Sequence, residues 1–529
     1  MALASGAPPA SLYAAVTSAA GTIESEVFDV AILGGSLAGA ASALLLLREQ
    51  PGLRIVILEK SIAFPRRVGE ATVEVSSFFL SRVLGLTQFL NETQLAKQGM
   101  RFWFANPQVQ ALDESSEIGG RYLARLPAWQ VDRSTLDEEV LRRAGAAGAV
   151  ILRPAKATGV TLQSGGRQSV AWRSESPDAH PNPAPIQVRW VIDASGFSCL
   201  LARQEGWFRR NDAHPTTACW ARWTGVQDWD SQALAQRFPQ WAAACQGIRA
   251  TATNHLVGDG WWAWCIPLKG GDYSVGVVLD QRRVTWSREE KPLGARLKEF
   301  LCAHPVGREM FQHAEPVAGD VKWRANLAYS SERYAGDGFV LVGDAAAFLD
   351  PFYSPGMDWL SYTVTRGSQL ILAGLRGEPT APRVARHNQD FTQAYARWFA
   401  AIYQDKYDWI GDFELMSVGF QLDLSMYYIG VVSQPVKLGA AALNQPVFSL
   451  PPSQLPFQLM RLYNRRLAAM GRERRRRGQF GRRNDRQRFL LNGFLPDNST
   501  GRAVLTGLRR WLRLELTEGW RSWFRASPR

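Results

Sequence analysis

The fold class is decided by the segment Phe28-Asp29-Val30-Ala31-Ile32-Leu33-Gly34-Gly35-Ser36-Leu37-Ala38-Gly39. An apolar strand runs into a turn of small residues, and the helical run Ala40 to Arg48 follows. A second apolar strand, Arg54 to Leu58, ends at Glu59, 20 positions after Gly39. This unit is typical of α/β dinucleotide-binding folds, because small residues let the backbone approach a pyrophosphate at a helix N-terminus. The predicted contacts are Gly34, Gly35, Ser36, Ala38 and Gly39 with the pyrophosphate, and Glu59 with a ribose hydroxyl.

Two later strands return to the same site. Val188 to Ile192 leads into Asp193-Ala194-Ser195-Gly196, and Phe339 to Val342 leads into Gly343-Asp344. An aspartate just beyond such a strand can bind a ribose or ribityl hydroxyl. A long helix is predicted from Met357, and the free N–H groups at Gly356–Met357 would face an electron-rich ring.

Three tryptophans are concentrated in the segment Gly258-Asp259-Gly260-Trp261-Trp262-Ala263-Trp264-Cys265-Ile266-Pro267. In an extended strand, Trp262, Trp264 and Ile266 share one face. Such a face either belongs to a core strand or walls an apolar cavity, and the segment alone leaves both open. Alternating patterns and Gly-Asp turns around it predict a β-rich domain over residues 215–330.

Composition describes an ordinary globular protein, with 46% hydrophobic and 21% charged residues among 529. The five cysteines have no CxxC spacing, and the six histidines form no HxxxH pair, so neither disulfides nor a metal site is predicted. Residues 1–25 lack the pattern of a signal peptide and are expected to form a disordered leader. No apolar run of about 18 residues is present, so we expect no spanning helix. The cysteine pattern fits a reducing compartment, and we expect a cytoplasmic protein.

The positive charge is concentrated at the end of the chain. Residues 461–529 contain 19 arginines and five acidic residues, a net charge of +14 against +13 for the whole chain. The segment Val504 to Phe524 mixes leucines and tryptophans with arginines, the composition of a cationic amphipathic helix. It could lie on an anionic membrane, dock on an acidic partner, or pack on the protein's own core. Nucleic acid is not expected as a partner, because no nucleic-acid-binding fold accompanies the charge.

Several motifs together resemble those of the flavin-dependent halogenases, within the FAD-dependent monooxygenase superfamily. The glycine turn with Glu59, the Asp193–Gly196 turn and Gly343-Asp344 with Pro351 resemble the superfamily's FAD motifs. Val68-Gly69-Glu70-Ala71-Thr72 and Trp262-Ala263-Trp264-Cys265-Ile266-Pro267 are similar to the halogenase motifs. The resemblance covers roughly Phe28 to Leu375, and the tryptophan–isoleucine–proline pattern is its most specific part.

The resemblance implies the residues of an active site. Reduced FAD and oxygen would oxidise halide to hypohalous acid, which Lys97 would hold and present to an aromatic ring. Trp262, Trp264, Ile266 and Pro267 would shield the flavin face from the organic substrate. Halide would lie at Ser354, Pro355 and Gly356, before the predicted helix. The cofactor contacts implied in addition to the pyrophosphate turn and Glu59 are Gly69, Glu70, Arg133, Asp193, Gly196, Gly343, Asp344, Pro351, Gly356 and Met357.

The implied substrate is a phenol, pyrrole or indole, either free or bound to a carrier protein. Tyr353 stands where halogenases of free tryptophan carry a glutamate, so free tryptophan is not favoured. No second nucleotide motif is evident, which favours a separate flavin reductase as the source of reduced FAD. Two alternatives remain on the same scaffold: a monooxygenase or geranylgeranyl reductase-like enzyme, and a membrane-associated flavoprotein without halogenating activity.

The resulting domain prediction has four parts. Residues 26–214 and 331–375 form a discontinuous, Rossmann-like FAD-binding domain. Residues 215–330 form the β-rich substrate domain. Residues 376–529 form a helical C-terminal region that ends in the basic tail, and the leader precedes all three.

Overall fold

A mostly parallel sheet forms the base of the nucleotide-binding region. The computed structural model describes residues 27–104, 106–176, 183–245, 247–286 and 291–523, so the predicted leader lies outside the described residues. The spatial order of the main strands is Ala335–Gly336, Phe339–Leu341, Ile186–Asp193, Phe28–Leu33, Ile55–Leu58 and Val150–Leu152. A hairpin of Ala155–Thr161 and Gln168–Ser174 extends the strand Ile186–Asp193. The central strands are almost entirely apolar, as is typical of a parallel sheet covered on both faces.

The register of this sheet brings the predicted nucleotide turns to one edge. Leu33 pairs with Asp193, and Asp193 pairs with Leu341, at the carboxyl ends of three parallel strands. The turns that follow these strands therefore begin side by side. This is the edge at which open α/β sheets bind their ligands.

A second, mainly antiparallel sheet has nine strands. Its spatial order is Glu315–Pro316, Thr216–Thr224, Tyr273–Asp280, Trp261–Pro267, Thr253–Gly258, Met100–Phe104, Ser116–Gly120 and Arg488–Leu491, with Lys322–Ala325 also paired to Thr216–Thr224. The predicted β-rich segment 215–330 supplies six of the nine strands. The other three come from residues 100–120 and from the C-terminal region, so this sheet crosses the predicted domain boundaries. Pairing between strands so distant in sequence depends on tertiary register, which local patterns do not encode.

The remaining strands form two small sheets, Phe208–Arg210 with Tyr329–Ser331 and Ala347–Phe348, and Leu95–Ala96 with Trp129–Gln130. The α-helices are Leu37–Glu49, Glu74–Phe78, Thr87–Thr93, Arg133–Ala146, Leu200–Gln204, Gln232–Arg237, Pro239–Ala244, Leu293–Cys302, Pro305–Phe311, Gly356–Leu375, Ala381–Trp398, Phe413–Tyr427, Ser433–Leu438, Gln454–Arg476 and Asn498–Thr517. Single π-helical turns at Phe79–Val83, Phe399–Tyr403 and Tyr428–Val432 continue three of these helices. The helical C-terminal region is thus confirmed, with Arg488–Leu491 as its strand.

The strand Trp261–Pro267 separates two hydrophobic cores. Trp262, Trp264 and Ile266 face the large core shared with the nucleotide-binding sheet and the C-terminal helices. Ala263 and Cys265 face a smaller core on the other side of the sheet. The predicted alternation is therefore confirmed, and the three apolar side chains on the first face are all buried.

Much of the basic tail packs on the body of the protein. Arg474 pairs with Asp412, Glu414 and Glu518, and Arg475 pairs with Asp259. The helix Asn498–Thr517 contacts the helix Phe413–Tyr427. These two arginines therefore belong to the protein's own packing, and the segment Val504 to Phe524 also contacts the body through the helix Asn498–Thr517.

One described helical segment, Phe413–Asn444, has the length and composition of a membrane-spanning helix. This differs from the expectation that no spanning helix is present, because the segment mixes polar residues with its apolar ones. Of its apolar window, 67% is buried inside the protein, as in the core helix of a soluble fold. Length and composition alone therefore do not make this segment a membrane span.

Candidate active site

Glycines at the pyrophosphate turn allow close backbone approach. Gly34 has φ of +108°, and a Cβ atom there would lie 2.6 Å from the carbonyl oxygen of Ala194. A Cβ atom at Gly39 would lie 1.9 Å from the carbonyl oxygen of Gly34. The helix Leu37–Glu49 begins here without a side-chain cap, and the N–H groups of its first turn are free to bind a phosphate.

Two acidic residues predicted to contact the cofactor hold the backbone of their own turns. The carboxylate of Glu59 accepts hydrogen bonds from the N–H groups of Gly35, at 2.9 Å, and Ser61, at 2.8 Å. The carboxylate of Asp193 accepts from Ser195, at 2.9 Å, and Leu201, at 2.8 Å. Both side chains are buried and fix the shape of the site. Contacts of these carboxylates with the cofactor itself remain predictions.

Asp344 differs from these two, because no hydrogen bond to its carboxylate is recorded within the described residues. Burial raises its pKa to about 6, and Arg133 and Arg324 oppose this shift. A Cβ atom on the neighbouring Gly343 would lie 3.3 Å from Ala38, so this turn abuts the pyrophosphate helix. A free carboxylate beside a glycine cradle and an uncapped helix N-terminus fits FAD, whose ribityl chain offers hydroxyl donors. When bound, FAD supplies the redox chemistry of the site.

The loop Val68–Thr72 is held by charged side chains. Glu70 accepts a hydrogen bond from Arg222 at 2.8 Å, and burial raises the pKa of Glu70 to about 7 although Arg222 lowers it. Arg133 pairs with Asp137 and lies so close to Gly69 that a Cβ atom there would be 2.7 Å from its guanidinium. The structure therefore places Gly69, Glu70 and Arg133 in one cluster, in which Glu70 pairs with Arg222 and Arg133 with Asp137.

The predicted halide loop has an unusual backbone. Tyr353 and Ser354 have φ values of +67° and +57°, in the left-handed region, and the helix Gly356–Leu375 begins directly after Pro355. The predicted start at Gly356–Met357 is confirmed. Open space lies beside Gly356, where a Cβ atom would meet nothing within 4 Å. Free N–H groups of the first helical turn next to open space suit a small anion.

Lys97 lies in the wall of a cavity of about 350 Å³. Its side chain is only 3% exposed, and its ammonium donates a hydrogen bond to the carbonyl oxygen of Thr72 at 2.7 Å. Burial lowers the pKa of Lys97 to about 8, although Glu74 and Asp358 raise it. The same cavity is lined by Tyr353 and Pro355 of the halide loop. The fold thus brings Lys97 and the helix start, more than 250 residues apart in sequence, to one cavity.

The tryptophans stand behind this cavity and do not line it. The ring centroid of Trp262 lies 5.1 Å from that of Phe352 and 5.9 Å from that of Trp264. Its indole N–H donates to the hydroxyl of Tyr407, which donates in turn to Asp350. Trp264 donates to Ser274, and Ile266 and Pro267 continue the strand. This aromatic layer is fixed by hydrogen bonds, and its shielding role remains a prediction.

Four side chains near Lys97 are missing from the sequence prediction. Glu74 and Asp358 line the cavity together with Tyr427 and Tyr428. Tyr427 donates to Asp358 at 3.1 Å, and Tyr428 donates to Glu74. Nothing in the sequence around the two tyrosines predicts a functional role for them. Asp358, by contrast, lies two positions after Gly356, in the first turn of the helix whose N-terminus is predicted to lie at the active site.

The family model for tryptophan halogenase matches residues 29–122 and 115–405. The chain belongs to the tryptophan halogenase family. It is 26% identical over 373 residues to the flavin-dependent halogenase armH5 of Armillaria mellea, covering 67% of this chain and 66% of that protein. It is 28% identical over 396 residues to the sulochrin halogenase gedL of Aspergillus terreus, covering 70% and 68%. The chain thus spans about two thirds of the length of these relatives.

Solved halogenase structures share the fold. Halogenase PltM matches with a TM-score of 0.69 and 19% identity, over 92% of this chain and 96% of that one. A structure of PltM in complex with phloroglucinol and FAD matches with a TM-score of 0.70 and 18% identity, over 93% and 98%. Membership of this family identifies the chain as an FAD-dependent halogenase of aromatic substrates. It supports neither a monooxygenase or reductase nor a flavoprotein without halogenating activity.

Proposed function

We propose that this halogenase acts on a phenol with a substantial apolar body, bound in the cavity beside Lys97. The observation that carries the proposal is the buried ammonium of Lys97, which opens on an otherwise largely apolar cavity shared with the halide loop. A cavity of about 350 Å³ lies within the range of roughly 300–1,000 Å³ that takes drug-sized organic ligands. It has room for more than a single ring. Phloroglucinol, which is bound in the structure of the similar halogenase PltM, is a phenol. Pyrroles and indoles are the other substrate classes that the test below distinguishes.

Each group would have a separate task in this proposal. The halide binds at Ser354–Gly356, where the helix N-terminus favours an anion. Lys97 holds the hypohalous acid through its N–H groups and directs it at the ring. Trp262 and Trp264 keep the organic substrate on the far side of Phe352. Reduced FAD comes from a separate flavin reductase, and the substrate enters free or on a carrier protein.

Halogenation in a reconstituted system tests the proposal. The protein is incubated with FAD, a flavin reductase, NADH, oxygen and bromide, together with alkylated and unsubstituted phenol, pyrrole and indole probes. We expect a brominated alkylphenol, detected by mass spectrometry, as the main product. Hydroxylated products without bromination, or bromination of the pyrrole or indole probes alone, would contradict the proposed function.

We propose in addition that the protein is cytoplasmic and binds anionic membranes at their surface. The helix Asn498–Thr517 turns the exposed side chains of Leu505, Leu512 and Leu516 outward, with Arg509 and Arg513 between them. Trp520 and Trp523 continue this face and are each about half exposed. Leucine and tryptophan next to arginine suit the boundary between lipid headgroups and acyl chains. An acidic protein partner is the other outcome of the test.

A further inference from the structure

A buried carboxylate, that of Asp358, lies in the wall of the same cavity as Lys97. Asp358 is in the first turn of the helix Gly356–Leu375, two residues after the predicted halide loop, and is 1% exposed. One carboxylate oxygen accepts a hydrogen bond from the N–H of Ser76 at 2.9 Å, and the other accepts from the hydroxyl of Tyr427 at 3.1 Å. Asp358 is therefore held on two sides in the cavity wall.

The charged and titratable groups facing Asp358 come from several elements. Lys97 supplies a positive charge and Glu74 a negative one, while Tyr362, Tyr403 and Tyr427 supply phenols. Burial raises the pKa of Asp358 to about 7; hydrogen bonds from Ser76 and Tyr427 lower it, and Glu74 raises it. Burial raises the pKa values of the three tyrosines, so they stay neutral near pH 7.

We propose that Asp358 is a catalytic residue, the base that accepts the proton displaced from the aromatic ring by the halogen. This inference rests on the proposed function. Electrophilic substitution needs such a base, because the ring becomes cationic when its carbon bonds to the halogen. A carboxylate fixed beside Lys97, in an otherwise largely apolar cavity, is placed to receive that proton.

The step is balanced without a further reactant. A ring carbon bonds to the halogen of hypohalous acid while the halogen–oxygen bond breaks, and the departing oxygen takes a proton from Lys97 and leaves as water. The ring then loses its C–H proton to Asp358, and the electron pair returns to the aromatic system. Proton transfer from Asp358 restores the ammonium of Lys97. The sum is an aromatic C–H and hypohalous acid giving an aryl halide and water.

Asp358 is preferred to Glu74 as the base because of its environment. Glu74 is partly exposed, so water can compete with the substrate for its carboxylate. Asp358 is almost completely buried and lies next to the loop from which halide is expected to come. Tyr427, which donates to it, acts as a positioning residue.

The variant Asp358→Asn tests the proposal through kcat and its pH dependence. In the wild type, kcat should rise as pH increases through about 7, because only the carboxylate accepts a proton. In Asp358→Asn, kcat should fall roughly 100-fold with little change in KM, and this acidic limb should disappear. Ring deuteration should slow the variant more than the wild type, since proton removal becomes rate-limiting. The matched control is Asp212→Asn, whose side chain is 71% exposed, and it should behave as the wild type.

A second variant keeps Asp358 in place. Tyr427→Phe removes a hydrogen bond that lowers the pKa of Asp358, so the acidic limb should move to higher pH. If Asp358→Asn does not fold, as judged by circular dichroism and FAD binding, this shift decides. An unchanged limb in Tyr427→Phe, or an unchanged rate and limb in a folded Asp358→Asn, would overturn the proposal.

Failure of the proposed function has a different signature. Free hypohalous acid is measured with monochlorodimedone, a diketone that this acid halogenates in solution, outside the cavity. A wild type that produces neither halogenated diketone nor halogenated phenol contradicts the proposed function itself. A wild type that halogenates the phenol, with a variant that does so equally well, contradicts only the role of Asp358.

Discussion

Lys97 carries its charge in a buried position, where the loss of hydration makes a charged group unfavourable. An ammonium that is 3% exposed loses most of its hydration, and the structure records one hydrogen bond for it, to Thr72. Three N–H donors are available on an ammonium, so donors remain for a bound ligand. The resemblance to the halogenases predicts this residue, because the family's lysine lies at the same place after the Gly69-Glu70 loop. Its burial and lowered pKa depend on elements far from it in the chain.

Replacing Lys97 by alanine should abolish most substrate halogenation. We expect the yield of halogenated product to fall roughly 100-fold or more, because the group that directs the oxidant is lost. Product formation is measured by mass spectrometry, and flavin oxidation is followed by absorbance in the same reaction.

The matched control for this variant is Lys156→Ala, which removes an exposed ammonium from the strand Ala155–Thr161 of the nucleotide-binding sheet. It should leave the yield unchanged. If Lys97→Ala gave the wild-type yield, Lys97 would have no part in the halogenation.

Gly39 offers a residue-scale test of the cofactor site. A Cβ atom there would overlap the carbonyl oxygen of Gly34 at 1.9 Å, so the turn and the helix must move apart. We expect Gly39→Ala to weaken FAD binding at least tenfold, as measured by quenching of flavin fluorescence. Gly501→Ala is the matched control, because its Cβ atom meets nothing within 4 Å and should leave FAD binding intact. Equal affinity in both variants would place the cofactor elsewhere.

Among the elements, the strand Trp261–Pro267 shows how far a local pattern predicts. Period-two alternation correctly places Trp262, Trp264 and Ile266 on one face. The same pattern leaves a core strand and a cavity wall open, since both bury large rings. The neighbours of that face, Phe352 and Tyr407, lie 90 and 145 positions away and were not predictable from the segment.

Truncation of Trp262 should therefore be costly in stability. Trp262→Ala leaves a cavity among packed rings and should lower the free energy of unfolding by about 3–5 kcal/mol. Trp323→Ala, at a side chain that is 42% exposed, should cost about 1 kcal/mol or less. Urea denaturation followed by circular dichroism measures both. Similar losses in the two variants would show that Trp262 is not tightly packed.

At the scale of the whole molecule, the arginines of the basic tail fall into two groups. Arginines such as Arg474 form buried ion pairs that tie the tail to the body, whereas Arg509 and Arg513 stay exposed among leucines. Net charge alone could not divide them, because the partners of Arg474 come from two distant segments: Asp412 and Glu414 lie in one, and Glu518 in the other. Whether an arginine is paired or exposed depends on which face of its helix packs against the rest of the protein.

The exposed face gives a prediction for membrane binding. Leu512→Glu/Leu516→Glu should reduce co-sedimentation with vesicles of phosphatidylcholine and phosphatidylserine at least fivefold, because apolar area is lost and negative charge is added. Leu455→Glu is the matched control, since Leu455 is 79% exposed on a different helix. Equal sedimentation of all three proteins, or none by the wild type, would contradict the membrane proposal. Capture by an acidic protein instead would identify the other partner class.

The sequence by itself determined the nucleotide-binding unit, the face of the tryptophan strand and the start of the helix at Gly356. These features are local, because each rests on the spacing of small, apolar or charged residues within one or two elements. The strands of the large sheet that lie outside residues 215–330 were decided only by the tertiary structure, since their pairing depends on register between distant segments. The cavity was decided in the same way. Lys97, Asp358 and Tyr427 come from three separate parts of the chain, and only their burial in one wall creates the perturbed charges of the site.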